Sequence, residues 1–374
     1  MSTLDAVQLT RDLIAIPSAS QISNLEVSDY LTKVLEDTGF EVERLEYVDQ
    51  NDILKVSLIA KKGEGKGGLG FFSHSDTVPG AKDAWSPFEP LIKEGKLLGR
   101  GSCDMKGPLA ATIAAAANLS SSDLEKPVYI VIAADEEVGF GGAKQITKHS
   151  ETFKRDGWPD MGVIAEPTEL EPVHAHKGGY FIDVTAHGEA AHTSTEKGRS
   201  ANFKIAPFLA DMAALKETFM TDAQFQDDEF NPPTNGFNMT LNDYGCANNV
   251  TAAKSTATLS VRSMPQAHTK RAVQLIRDKA EAFGLELATR GYDAFHTSPD
   301  SKIICLSLEA TGATKSVAVP YGTEALVYQE HLPLVILGPG SIAQAHTIGE
   351  YIELNQLERA VAIYQKMIKN YCQN

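Results

Sequence analysis

Residues 127–142 read PVYIVIAADEEVGFGG, an apolar run that leads directly into three acidic residues and a glycine-rich stretch. The apolar run has the length and composition of a buried strand. Adjacent carboxylates repel one another, and at the end of a buried strand they also lose hydration. The acidic run Asp135, Glu136 and Glu137 therefore indicates a functional site, and a bound cation is the first candidate for its ligand.

Similar apolar runs alternate with helical segments through the first part of the chain. Apolar residues recur at helical spacing in residues 6–16 and 25–38, which end at Pro17 and Gly39. Strands separated by helices predict an α/β layered domain with a largely parallel sheet, in which functional residues gather at the carboxyl ends of the strands. The predicted elements are strands at 56–60, 69–72, 129–133 and 162–165 and an alanine-rich helix near 105–118.

The pattern changes near residue 177. Residues 180–188 and 256–263 alternate like half-exposed strands, and helical stretches occur near 200–216 and 268–283.

This change predicts a compact inserted domain. Its β-α-β-β-α-like order predicts an α+β, ferredoxin-like insertion over 177–293 with one exposed sheet face. The first domain then comprises 1–176 and 294–374, because the α/β pattern resumes at LPLVILGPGS (332–341) and ends in a helix.

Composition limits the classes of partner. The formal net charge is −15 and the pI is about 5.1, which argues against binding to nucleic acid or to anionic membranes. We expect no secretory leader and no membrane span, and thus a cytoplasmic enzyme. The cysteines are scattered without a CxxC pair, so neither a thiolate zinc site nor a disulfide framework is predicted.

Further residues of metal-ligand type follow predicted strands or lie in loops. Asp76 can accept the second imidazole N–H of His74, as around zinc-bound histidines, although a hydrogen-bonded loop histidine is the alternative. Asp104 precedes the alanine-rich helix, where a helix N-cap is the alternative. Glu166 follows another apolar run, and a glycine loop ends at His346.

Two histidines and three carboxylates suit a pair of borderline ions such as Zn²⁺. Two ions need a bridging ligand, and an aspartate can bridge them at the separation of about 3.5–4 Å found in two-metal sites. In the pair Glu136 and Glu137, one carboxylate can then bind metal while its neighbour takes a proton from water. Spacing alone does not decide which residue does which.

The motifs together resemble those of the di-zinc deacylase and exopeptidase family, in order and spacing, over essentially the whole chain. EPTELEPVHAHKG (166–178) and LGPGSIAQAH (337–346) are most similar to its acetylornithine deacetylase branch. Ser73 and Ala165 stand where many relatives have glycine, and neither is a proposed ligand. The remaining motifs are HSDTVPG (74–80), GRGSCDMKG (99–107), DEEVGFGG (135–142), AEPTE (165–169), GEAAHTS (188–194), NNV…VRSMP (248–265) and GTEA (322–325).

The resemblance implies a metallohydrolase with two divalent ions, Zn²⁺ or alternatively Co²⁺. His74, Asp104 and Glu166 would hold one ion. Asp104, Glu137 and His346 would hold the other, with Asp104 as the bridge.

The resemblance also assigns roles around the metals. Glu136 would be the general base and proton donor, and Asp76 would orient His74. His192 would polarise the scissile carbonyl, reaching the partner subunit's site in a homodimer formed through the 177–293 domain, which would also act as a lid. The residues implied in substrate binding are Asn248 and Arg262, with Arg262 suited to an α-carboxylate.

The implied reaction is hydrolysis of N-acetyl-L-ornithine to L-ornithine and acetate for arginine synthesis, through a metal-bridging hydroxide. N-acetylcitrulline, N-succinyl-diaminopimelate or general N-acyl amino acids are alternative substrates, and a metal-binding protein without catalysis is the alternative class. Glu324 is a candidate contact for a cationic substrate side chain. His174 and His176 are interpreted as structural, and Asp135 has no assigned role.

Overall fold

The computed structural model describes residues 4–81 and 83–373, and the chain divides into two compact units. The first unit comprises residues up to 174 together with 297–317 and 323–374, and the second comprises 175–296 and 318–322. The strands are β1 (Glu41–Val48), β2 (Leu54–Lys62), β3 (Leu69–His74), β4 (Leu91–Lys93), β5 (Lys96–Leu98), β6 (Val128–Ala133), β7 (Met161–Ile164), β8 (Val173–His176), β9 (Gly179–His187), β10 (Asn238–Asn242), β11 (Lys254–Val261), β12 (Glu286–Tyr292), β13 (Phe295–His296), β14 (Val317–Val319), β15 (Leu334–Ile336) and β16 (Tyr351–Glu353). The α-helices are α1 (Ala6–Ala15), α2 (Leu25–Asp37), α3 (Lys106–Ala117), α4 (Gly141–His149), α5 (Glu151–Asp156), α6 (Ala201–Thr221), α7 (Thr269–Ala282), α8 (Lys302–Thr311), α9 (Ala325–Tyr328) and α10 (Leu354–Cys372).

The main sheet of the first unit runs in the order β1-β2-β6-β3-β7-β15-β8. Its centre is parallel, because β6, β3, β7 and β15 pair in the same direction. The prediction of a largely parallel sheet is wrong at the edges: β1, β2 and β6 pair antiparallel, and so do β15 and β8. The physical reason at β1 and β2 is their short connection, which allows a hairpin but not a crossover helix.

Helices cover both faces of this sheet, as adjacent residues of β3 show. Phe71 turns its ring to one face, where it lies 5.2 Å from Tyr364 of α10. Phe72 turns to the other face and lies 4.7 Å from Tyr328 of α9. Since every residue of β3 is buried, this strand lies at the centre of an α/β/α layered domain, as the sequence predicted.

The second unit contains a four-stranded antiparallel sheet in the order β10-β11-β9-β12. Along β9, Ile182, Val184 and Ala186 are buried against residues of α6 and α7, and the residues between them are more exposed. The chain order β9-α6-β10-β11-α7-β12 is the ferredoxin-like arrangement that the alternating pattern predicted. Within the described residues, no helix is long and apolar enough to cross a membrane.

Candidate metal centre

The predicted metal ligands converge at the carboxyl ends of neighbouring strands in the first unit. His74 is the last residue of β3, which pairs in parallel with β6 on one side and with β7 on the other. The glutamate pair follows β6 directly, and Glu166 follows β7. Because adjacent parallel strands end at the same edge, three separate segments deliver their polar side chains to one place.

Asp104 lies between the two predicted histidine ligands. Its Oδ1 is 3.2 Å from Nε2 of His74, and its Oδ2 is 3.3 Å from Nε2 of His346. Helix α3 begins after Met105, and no side chain caps it, so the alternative interpretation of Asp104 as an N-cap is wrong. A carboxylate whose two oxygens point to different histidines has the geometry expected of a bridging ligand.

The other two carboxylates complete two groups around Asp104. Glu166 Oε1 is 3.6 Å from Nε2 of His74, and Glu137 Oε2 is 3.0 Å from Nε2 of His346. Ligand atoms of His74, Asp104 and Glu137 all lie within 4.8 Å of one another.

The carboxylate of Asp76 accepts hydrogen bonds from the backbone of the glutamate pair. Its Oδ1 accepts the N–H of Glu136 at 3.1 Å and its Oδ2 accepts the N–H of Glu137 at 3.4 Å, while the hydroxyl of Ser20 donates to Oδ2 at 2.7 Å. The nearest acceptor to Nδ1 of His74 is the main-chain carbonyl of Asp76 at 3.0 Å, with its carboxylate Oδ1 at 3.5 Å. Asp76 therefore positions the imidazole and both glutamates together.

Asp135 and Gly142 shape the turn after β6 that carries Glu136 and Glu137. Asp135 adopts a left-handed conformation with φ of 57°, and its buried carboxylate forms an ion pair of 2.8 Å with Lys55 and accepts the Tyr47 hydroxyl at 2.8 Å. Gly142 closes the turn, where a Cβ would lie 2.4 Å from the main chain of Ala134, so only glycine fits there. Asp135 thus anchors the turn, which is the role that the sequence left unassigned.

The pKa values of Glu136, Glu166 and Asp104 are shifted by their surroundings. Burial raises the pKa of Glu136 well above its usual range, and the nearby carboxylates of Glu166 and Glu137 add to the increase. Burial and the charge of Asp104 raise the pKa of Glu166 to about 7. Although burial opposes ionisation of Asp104, its contacts with His346 and His74 hold its pKa below the usual range. Clustered carboxylates with raised pKa values indicate a place for compensating positive charge.

The donor set fits divalent metal. His74 is completely buried, and its Nε2 has no well-directed hydrogen bond within residues 4–81 and 83–373, as expected of a nitrogen that is reserved for a ligand. Imidazole nitrogens and carboxylate oxygens without thiolates suit Zn²⁺ or Co²⁺. The buried position of His74 among three carboxylates disfavours the alternative of an ordinary loop histidine.

Metal uptake should release protons from the histidines. Hydrogen bonds to Asp104 and Glu137 raise the pKa of His346 to about 10, and contacts with Asp104, Asp76 and Glu166 raise that of His74 although burial opposes it. His346 is thus protonated in the metal-free protein near neutrality, the pKa of His74 is shifted in the same direction, and metal must displace protons from these side chains. Titrating metal-free protein with Zn²⁺ at about pH 7.5 in buffers of different ionisation enthalpy should show net release of protons, and the apparent affinity should fall as pH falls. Release of no protons would contradict this protonation state.

Four further predicted site residues are not among these ligands. His192, Asn248 and Arg262 are exposed residues of the second unit, where Nδ1 of His192 lies 2.7 Å from the hydroxyl of Ser194. In the first unit, the carboxylate of Glu324 is fully buried and has no hydrogen-bond partner in the described part of the chain.

Sequence reasoning missed two charged residues that support the site. Lys55 is 1% exposed within β2, and Glu350 is fully buried immediately before β16. A lysine inside the apolar run LKVSLIA is a signal that could have been noticed, because a lysine that is fully buried needs a partner. Glu350 offered no comparable signal, since an acidic residue near a loop is usually solvated.

The comparisons with known proteins agree with this fold. A model of peptidase family M20/M25/M40 matches residues 70–370. Acetylornithine deacetylase of Myxococcus xanthus is 32% identical, covering 99% of this chain and 98% of that protein. A tripeptidase from Staphylococcus aureus has a TM-score of 0.74 at 19% identity, covering 99% of each chain. A dinuclear metal-binding peptidase from Bacillus subtilis has a TM-score of 0.65 at 15% identity, covering 97% of this chain and 96% of that one.

These matches, together with the fold and the clustered ligands, define a metal-dependent hydrolase. The chain belongs to peptidase family M20/M25/M40. This result confirms the family resemblance that the ordered motifs predicted.

Proposed function

We propose that the protein hydrolyses N-acetyl-L-ornithine to L-ornithine and acetate, as a cytoplasmic enzyme of arginine biosynthesis. The observation that carries the proposal is the position of Asp104, whose two carboxylate oxygens face His74 and His346. Glu136 lies beside this group, with its backbone N–H donating to Asp76. The choice of substrate is supported by similarity to the acetylornithine deacetylase of Myxococcus xanthus.

Two divalent ions, Zn²⁺ or Co²⁺, fit the proposed ligand sets. His74, Asp104 and Glu166 would hold one ion, and Asp104, Glu137 and His346 the other. When bound, the ions would polarise the acyl carbonyl and make water more acidic.

Glu136 supplies the proton transfers. Its half-buried carboxylate takes a proton from the attacking water and returns it to the departing amine. The backbone N–H bonds to Asp76 hold Glu136 and Glu137 so that one carboxylate can serve the proton and the other the metal.

The exposed residues of the second unit are proposed to act on the substrate. His192 would support the developing negative charge on the carbonyl oxygen of the partner subunit's substrate, and Asn248 and Arg262 would bind the amino-acid part. Arg262 is exposed, so its guanidinium is accessible to a carboxylate. A contact of Glu324 with a substrate ammonium would require access to a fully buried carboxylate.

This scheme includes a homodimer formed through the 177–293 domain, which would also close over substrate. Light scattering that gives twice the 40.4 kDa chain mass would support the dimer, and the mass of a single chain would contradict it.

A substrate panel tests the proposed reaction. Release of free amine from N-acetylornithine, N-acetylcitrulline and N-succinyl-diaminopimelate should be compared with Zn²⁺ and with Co²⁺. We expect the highest kcat/KM for N-acetylornithine, loss of activity after chelation, and recovery when metal is returned. A higher kcat/KM for another substrate would replace the substrate assignment, and activity that survives complete metal removal would contradict the metal-dependent mechanism.

A further inference from the structure

Glu350 contacts the loop that carries Asp104 through both carboxylate oxygens. Oε1 accepts the N–H of Cys103 at 2.9 Å and that of Asp104 at 3.0 Å. Oε2 accepts the N–H of Gly101 at 3.1 Å and a guanidinium N–H of Arg100 at 2.7 Å. One side chain thus receives four hydrogen bonds from four residues of a single loop.

These contacts lie in the interior of the first unit. Glu350 is fully buried and Arg100 is only 2% exposed, so water cannot replace the carboxylate as an acceptor. Hydrogen bonds to a charged acceptor are stronger than those to a neutral one, and leaving several buried N–H groups without an acceptor is costly. The conformation of the loop at residues 100–104 therefore depends on this carboxylate.

The backbone of Glu350 is fixed from the other side. Its carbonyl accepts the N–H of Gly99 at 3.0 Å, and the next residue, Tyr351, begins β16, which pairs with β5 immediately before the loop. Glu350 also follows His346 by four residues in the chain. The residue consequently joins the loop of Asp104 to the loop of His346, which supply the two side chains that meet at 3.3 Å.

We infer that Glu350 is a positioning residue that sets the orientation of the Asp104 carboxylate for metal binding. It touches no reacting atom and acts through the main chain of Asp104. This inference rests on the proposed metal centre, in which Asp104 is shared by both ions. Loss of such an outer partner typically lowers metal affinity by about 10- to 100-fold.

Glu350→Gln is the informative substitution. It preserves side-chain size but replaces one acceptor oxygen with an NH₂ group, which then faces N–H donors. Glu358→Gln, at an exposed position of α10, makes the same change of charge away from the site and is the matched control.

The experiment measures Zn²⁺ affinity by chelator competition and the visible absorption spectrum of the Co²⁺-loaded protein. Thermal unfolding of each metal-free variant is recorded in parallel. We expect Glu350→Gln to bind Zn²⁺ about 10- to 100-fold more weakly and to alter the Co²⁺ spectrum, with its metal-free form still folded. Glu358→Gln should stay within about twofold of the wild type.

The outcomes separate positioning from a general structural role. A folded Glu350→Gln protein with wild-type metal affinity and spectrum would overturn the inference. If that variant does not fold, Glu350→Asp, which keeps the charge but is shorter by one methylene, is measured by the same criterion. If neither folds without metal, Glu350 is a determinant of folding and the inference is overturned. Wild-type protein that binds no metal would overturn the proposed function itself, whereas unchanged affinity in the variant alone leaves that function standing.

Discussion

Replacing Glu136 with glutamine is expected to lower kcat by about 100- to 10,000-fold, the usual contribution of a general acid–base residue. Glutamine keeps the size of the side chain but can neither accept the proton of water nor donate one to the leaving amine. The N–H of residue 136 can still donate to Asp76, so the turn and the ligand Glu137 should keep their positions. Steady-state hydrolysis of N-acetylornithine, with metal content measured on the same sample, gives the result.

Glu171→Gln, an exposed glutamate outside the site, provides the same loss of charge as a control. Metal content should match the wild type in both variants. A kcat within about tenfold of the wild type would contradict the assignment of Glu136 as the general base, because proton transfer contributes a larger factor than that. Loss of one metal ion would instead identify Glu136 as a ligand.

Replacing Lys55 with methionine is expected to lower the free energy of unfolding by about 3–5 kcal/mol, the cost of leaving a buried charge without its partner. Methionine fills a similar volume, yet it cannot pair with the buried carboxylate of Asp135. It also leaves the carbonyls of Ser20 and Ile22 without the ammonium that donates to them at 2.6 and 3.0 Å. Denaturation of metal-free protein, followed by fluorescence and by circular dichroism to check that the transitions coincide, measures the change.

Lys33→Met is the matched control, because Lys33 forms an exposed pair with Asp37 on α2. Such surface pairs contribute about 0–1 kcal/mol. The double variant Lys55→Met with Asp135→Asn should recover part of the loss, since it removes the unpaired charge. If Lys55→Met costs no more than Lys33→Met, the buried pair does not hold the turn.

The candidate site residues at the strand ends could be predicted from the sequence, because a polar residue that follows an apolar run is a local signal. His74, Glu136, Glu137 and Glu166 all share it, and the order of the parallel strands then brings them together. Asp104 gave an ambiguous signal, since a carboxylate before a helix is more simply interpreted as a cap. Only the positions of His74 and His346 on either side show that the oxygens of Asp104 face these imidazoles and do not cap the helix.

Glu350 could not be predicted because its partners are distant in sequence. Glu350 binds a loop about 250 residues earlier, and nothing near it in the chain indicates burial. The antiparallel edges of the main sheet were missed for a related reason, because strand direction depends on which neighbours pair rather than on the apolar pattern of each strand.

Strand β3 contributes both to the core of the first unit and to the predicted metal site. Phe71 and Phe72 fill opposite helical layers, and His74 ends the same strand. Since side chains alternate along a strand, inserting or deleting one residue before Phe71 would exchange the faces of both rings and turn the imidazole away from Asp104. Such a change would therefore disturb the core and the predicted ligand at once.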